Sequence, residues 1–232
     1  AIVIAKTDPD ASVAQARNSA FIVPLDSPGF EIVRDVETMG GKHNHPEVRY
    51  NDVRVPKENL LGERGGGHKL GQVRLGPARL AHCMRWLGQI EMALEMLIDR
   101  AQKRFAHGSL LSEKQSIQWM MSDSAMELYS SKLMVLHAAY KIENGMEFKQ
   151  EVSMAKHHVA NTLWRVVDRA MQVHGALGYS TDTPLAGMMQ QARWARLADG
   201  ADEVHQMRIA ELLMKAYNSD GSINQGVGGL PL

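Results

Sequence analysis

One cysteine, Cys83, is all the thiol that the 232 residues contain. That excludes an internal disulfide framework and fits a reducing compartment, leaving Cys83 the ordinary role of a small apolar helix residue. An excess of either charge is missing too, because 26 Lys and Arg balance 26 Asp and Glu. The chain therefore lacks the basic footprint of a nucleic-acid binder and the polybasic patch of a membrane-surface protein. No apolar run approaches the roughly 20 residues that span a bilayer. There is no initiator Met and no signal or transit peptide ahead of the strand-like opening AIVIAKTD. The expectation is a fragment of a protein that is not secreted, its N-terminal portion absent. The Gly-rich residues 62–67 lack the Gly-Lys-Ser/Thr of a P-loop and the spaced glycines of a dinucleotide fold. They read as a flexible connector, with a phosphate cradle as the alternative. A bundle di-metal site needs paired Glu-x-x-His elements. The sequence offers only Asp202-Glu203-Val204-His205, besides His43 and His45 two apart and the adjacent His157 and His158. No metal is expected.

What is present divides in two. Short β-branched runs at 2–5, 20–23, 30–33 and 48–55 are separated by turn residues such as Asp8-Pro9-Asp10 and Gly40-Gly41. From His68 onward the spacing turns helical, with Leu80, Met84, Leu87, Ile90, Leu94 and Leu97 three or four apart. Helices are expected to about residue 105, then over about 112–144, 147–174, 184–197 and 202–217. Two of these are near 30 residues long without sustained clean heptads, which favours a four-helix bundle over a coiled coil. The 15 Met residues lie mainly along helix faces, as core filling or the wall of an apolar site. The Gly-rich 218–232 reads as a flexible tail or a swapped arm.

The stretch 172–205 joins a Gly-rich break, an amphipathic helix, a second break at Ala198-Asp199-Gly200 and a last helix. By spacing alone Asp199 is an ordinary capping residue, three before Asp202. Yet the turn Gln172-Val173-His174-Gly175-Ala176-Leu177-Gly178, the later Asp199-Gly200 and the segment Val48 to Gly62 together resemble the acyl-CoA dehydrogenases. The wording Ala198-Asp199-Gly200-Ala201-Asp202-Glu203-Val204-His205 is most similar to the branch of family members ten and eleven, and His45-Pro46-Glu47 is a further marker of that branch.

The resemblance implies an α+β chain: residues 1–62 as the second half of a middle β-sheet or barrel domain, 63–217 as a C-terminal four-helix bundle, then the tail. It implies FAD, an acyl-CoA substrate and α,β-desaturation, with Asp199 as the base that removes the α-proton and hydride passing to flavin N5. Its backbone N–H would help hold the thioester oxygen. Arg79 and Gly200 would lie at the acyl-CoA site. Arg104, in Arg104-Phe105-Ala106-His107-Gly108, would reach the pyrophosphate of FAD held by a neighbouring subunit. Gln115, within Leu110-Leu111-Ser112-Glu113-Lys114-Gln115, would lie near the adenosine half, and Gln172, Gly175 and Gly178 would approach FAD from another subunit. The departures are His107 for Phe, Ala176 for the middle Gly, Ala201 for Thr and Glu211 for a family Arg. Implied partners are an electron-transfer flavoprotein and further copies in a homodimer or tetramer. The implied location is a bacterial cytoplasm or a mitochondrial or peroxisomal matrix. An acyl-CoA oxidase would read similarly. A non-catalytic helical oligomerisation module is the alternative from another class.

Overall fold

A computed structural model describes residues 1–223, the side chains of residues 42–44 and 220 excepted. The expected tail beyond 223 and the His43 side chain lie outside the described residues. The chain divides into two compact units between Pro77 and Ala78.

In the first unit the β-branched runs become strands. β1 (Ile2–Lys6) pairs antiparallel with β2 (Asn18–Ile22). β3 (Phe30–Thr38) and β4 (Gly41–Tyr50) make a separate antiparallel hairpin, and β5 (Leu60–Leu61) pairs with β2. The run 48–55 is strand only in its first part. It breaks after Tyr50, and Asp52 takes a φ of 48°, a left-handed conformation that a short polar side chain tolerates. The glycines of 62–67 serve a close backbone approach. A Cβ would lie 2.8 Å from the Ala16 oxygen at Gly65, and 2.8 Å from the Ser19 carbonyl carbon at Gly67.

The rest of the chain is mostly helix: α1 (Gly67–Lys103), in which the division falls, α2 (Gln115–Glu143), α3 (Lys149–His174), α4 (Ala176–Tyr179), α5 (Leu185–Ala195) and α6 (Asp202–Asp220). Where the sequence signals a helix end, the chain instead forms a two-residue hairpin between β6 (Phe105–Ala106) and β7 (Ser109–Leu110). His107 and Gly108 take φ of 50° and 82°, as a primed hairpin turn requires.

α3 is the centre of the helical unit, with α2, α5 and α6 against it. Ala155, Val159, Ala160, Leu163, Val166, Val167 and Ala170 are fully buried at helical spacing. Glu127 accepts from Arg165 at 2.8 Å and Arg169 at 2.9 Å, and Lys141 donates to Glu151 at 2.6 Å, so α2 and α3 are antiparallel. The hairpin connector returns α2 along α1, where Lys132 meets Glu91. The C-terminus of α1, the N-terminus of α2 and the C-terminus of α3 therefore share one end of the bundle.

Near the other end the core holds a charge. Lys156 is fully buried. An ammonium there costs several kcal/mol unless acceptors surround it. It donates to the Gly200 carbonyl at 2.6 Å and lies 4.0 Å from Asp202 Oδ1. Asp202 in turn accepts from Arg196 at 2.7 Å and Asn161 at 3.1 Å. Burial works to raise the Asp202 carboxyl, but these bonds and nearby His157 outweigh it and hold it below its ordinary value. Burial, then the cations Lys156 and Arg79, push the His205 imidazole down to about 4.

His205 thus stays neutral in the folded chain where the unfolded chain, at its ordinary 6.5, already binds a proton. Between those two values the unfolded state binds more protons, so stability is full above 6.5 and falls as pH drops towards 4. Asp202 acts in the same direction at lower pH. Urea unfolding midpoints should fall between pH 6.5 and 4, less steeply in His205→Asn. Equal slopes in the two proteins would remove His205 from the acid response.

Candidate active site

Between α5 and α6 the backbone turns sharply at Asp199 and Gly200, whose φ values are 52° and 111°. The capping role open to Asp199 in the sequence is not the one it takes. The N-cap of α6 is Ala201, and no side chain caps that helix. A non-glycine residue at positive φ costs on the order of 1 kcal/mol and persists only where its surroundings hold it. Here two cations hold consecutive carbonyls. Arg79 Nε donates to the Asp199 oxygen at 2.8 Å, and Lys156 Nζ to that of Gly200. Burial pulls the Arg79 guanidinium down and Asp199 works against it. Gly200 also has no room for a Cβ, which would lie 2.9 Å from His205 Nε2.

With its carbonyls engaged, the turn keeps other groups in reserve. The backbone N–H groups of Asp199 and Gly200 donate to no acceptor among the described residues. The Asp199 side chain is 24% exposed, and its Oδ2 lies 3.1 Å from His82 Nε2. The His82 ring is 5.5 Å from the rings of both Trp86 and Trp194. The carboxylate is thus partly open, with a ring nitrogen close to one oxygen and two indoles beside that ring. Cys83 is nearby but inert: burial pushes its thiol up to about 12.

Of the residues singled out in the sequence, Arg79, Asp199 and Gly200 meet here. His82 and Lys156 join them although neither was singled out in the sequence, and so does His205, weighed there only within an Asp-x-x-His element and a branch motif. His82 sits three residues after Arg79, on the same helix face, and Lys156 interrupts an otherwise small and apolar helix face. Those were the available signals. His157 and His158 turn to different partners: His157 Nδ1 lies 3.5 Å from Asp202, and His158 Nε2 3.2 Å from Ser130 Oγ.

Arg104, Gln115, Gln172, Gly175 and Gly178 gather at the opposite end of the bundle. About 36 Å of α1 separates Arg79 from Lys103, at 1.5 Å per residue. Arg104, Gln115 and Gln172 are exposed, and their side chains take no hydrogen-bond partner among the described residues. A cleft of about 200 Å³ is lined there by Asp168, Met171, Gln172, Gly175 and Tyr179. Gly175 ends α3 with a φ of 64°. A Cβ on Gly178 would lie 2.7 Å from the Met171 oxygen. Ala176 begins α4 without a positive φ, so its methyl group brings no backbone strain. Glu211 pairs with Arg208 at 3.2 Å on α6, which balances the charge of that departure locally. In the first unit the His45 N–H donates to Asp35 Oδ1 at 2.7 Å, and Glu47 accepts from Arg34 at 2.6 Å.

The sequence profile of the acyl-CoA dehydrogenase C-terminal domain matches residues 65–214. Over 213 residues the chain is 42% identical to FadE2 of Mycobacterium tuberculosis, covering 90% of this chain and 52% of that protein. It is 40% identical over 219 residues to acyl-CoA dehydrogenase family member 10 of Mus musculus, 92% of this chain and 20% of that protein. The structure of butyryl-CoA dehydrogenase from Megasphaera elsdenii matches with a TM-score of 0.79 at 31% identity, over 89% of this chain and 54% of that chain. The chain thus spans about half, or less, of the length of these relatives. The domain profile takes in both ends of the bundle, and this chain belongs to the acyl-CoA dehydrogenase family.

Proposed function

We propose that this chain carries the base-bearing part of a FAD-dependent enzyme that desaturates acyl-CoA thioesters between Cα and Cβ, with Asp199 as the base. The observation that carries this reading is the clamped Asp199–Gly200 turn, whose carboxylate caps no helix and stays partly open. An α-proton beside a thioester is a poor acid, so the site must stabilise enolate-like charge on the carbonyl oxygen. The Asp199 N–H, which has no internal acceptor among the described residues, is the donor this chain offers. As the α C–H bond breaks, its proton goes to the Asp199 carboxylate. An apolar acyl chain against Trp194 would exclude water from that transfer. Bound FAD would supply the hydride acceptor for Cβ, at flavin N5, and a ribityl hydroxyl beside the thioester oxygen.

The residues at the far end of the bundle fit that cofactor. Arg104 is a cation without an internal counter-ion among the described residues, suited to a pyrophosphate. Gln115 and Gln172 have side-chain donors to spare, and the Gly175 to Gly178 turn is open to the adjoining cleft. The 36 Å along α1 between Arg79 and Lys103 is longer than an extended flavin dinucleotide. If both ends serve flavin, they serve two flavins, one of them held mainly by a second copy of the chain. That supports a homodimer or tetramer, with an electron-transfer flavoprotein as the acceptor partner. An oxidase would use the same base and differ in its acceptor. Residues 1–62 would complete a β domain with chain beyond this sequence. Ile2 and Ile22, paired across β1 and β2, are 68% and 48% exposed, which supports an unfinished sheet face.

One observation favours the rival reading of a helical assembly module. Trp119, Met126, Leu133 and Tyr140 recur every seven residues along α2, with Tyr129 and Leu136 between them, and all are half or more exposed. That is an apolar seam of the kind a second helix covers. Both readings call for a second copy, and this seam is the face on which the rival reading seats it, so the double variant Leu133→Asp, Leu136→Asp should lower the mass measured by light scattering. An unchanged mass would take α2 out of the interface. The readings separate at Asp199. With FAD and acyl-CoA supplied without oxygen, the Asp199→Asn protein should retain any flavin the parent chain binds. Its rate of flavin bleaching should fall by roughly three orders of magnitude or more, the scale of general-base catalysis. Retained bleaching in that variant would remove Asp199 from the mechanism.

A further inference from the structure

We propose that His82 is the positioning residue of the base: its Nε2–H binds Asp199 Oδ2 and leaves Oδ1 as the oxygen that takes the proton. This rests on reading Asp199 as the base. The carboxylate oxygen and the ring nitrogen are 3.1 Å apart. The tautomer follows from the carboxylate itself: an ionised oxygen only accepts, so the ring hydrogen is on Nε2, facing it. Arg85 Nη2 lies 2.6 Å from Nδ1 and 3.3 Å from Nε2, which places it over the ring and not in line with the Nδ1 lone pair. Trp86 and Trp194 flank the ring and limit its rotation. Arg79, His82 and Arg85 recur every three residues along α1. The first holds the main chain of the base, the second its side chain, and the third lies over the ring of the second.

The choice of oxygen has a chemical reason. When the α C–H bond breaks and an O–H bond forms on Oδ1, Oδ2 becomes the carbonyl oxygen of a carboxylic acid. It still accepts from Nε2–H, so the hydrogen bond survives the step and no proton crosses His82. Were the proton to arrive on Oδ2, two hydrogens would face each other unless the ring changed tautomer. His82 therefore orients one face of a short side chain and commits the other to substrate, a preorganisation worth roughly ten- to a hundred-fold in rate.

The first test needs neither flavin nor turnover. Long-range 15N–1H NMR of the labelled chain, with His82 assigned by its loss in His82→Gln, should show the Nε2–H tautomer. In Asp199→Ala that preference should weaken. A ring protonated at Nδ1, or one indifferent to Asp199→Ala, would overturn the proposal. The second test is kinetic. His82→Leu should lower kcat roughly ten- to a hundred-fold with KM for acyl-CoA unchanged, and should raise the isotope effect of an α-deuterated substrate. His82→Gln, whose amide N–H reaches the same place, should recover most of the loss. If Asp199→Asn is inactive while His82→Leu turns over like the parent, the His82 proposal alone fails. If Asp199→Asn keeps turnover, the base reading fails and takes this proposal with it.

Discussion

The ammonium of Lys156 sets the terms for the functional end of the helical unit. A fully buried cation must be surrounded by acceptors, and the nearest is the Gly200 carbonyl at 2.6 Å. That bond ties the middle of α3 to the break between α5 and α6, and so fixes where the break falls. Once Gly200 points its oxygen into the core and Arg79 takes the oxygen of Asp199, the left-handed conformation of Asp199 follows. Its side chain and both N–H groups are then left for other work. Removing Lys156 would leave a buried carbonyl without its donor. It would also deprive Asp202 of a nearby cation, at a carboxylate already drawn on by Arg196 and Asn161. Strain and buried charge are paired in one place, where each makes the other tolerable.

The same bundle keeps two sets of groups apart. α1 is long enough that the clamp residues on its early turns and Arg104 just past its end cannot reach one compact ligand. α2 belongs to the same logic. One of its faces carries Ser124, Ser131, Val135 and Ala138 into the core, and another carries an aromatic and aliphatic seam outward. The first face meets α1 and α3, and the second is left exposed among the described residues.

Much of this was legible in the sequence. The existence and kind of the long helices followed from their period, and the Asp-Gly break from its composition. The Gly-rich turn was legible through its resemblance to a family, and Gly178 has no room for a side chain. Three things were not legible. The run 48–55 alternates well as a strand, but a break after Tyr50 is set by the partner strand and by Asp52, not by the pattern. The seam on α2 was hidden because core and outer apolar residues are superposed in one sequence, which blurs the heptads of each. The clamp was hidden because Lys156, His82 and His205 become informative only through distances to Asp199 and Gly200, more than forty residues away for the first and more than a hundred for the second. A lone Lys on an apolar face looks like noise until its acceptor is seen.

The aspartate itself is best understood with its neighbours. Aspartate is one methylene shorter than glutamate and so has one fewer torsion to order. The turn that carries it cannot relax to make up the lost reach, because both carbonyls are already held. What the shorter side chain loses in reach it gains in definition, since one donor on one oxygen is enough to fix two torsions. A glutamate on the same turn would project past His82 and would need a second contact to be equally ordered. On the proposed reading, base and orienting ring form a matched pair: His82 holds a short side chain, and Arg85 and two indoles pack against the ring.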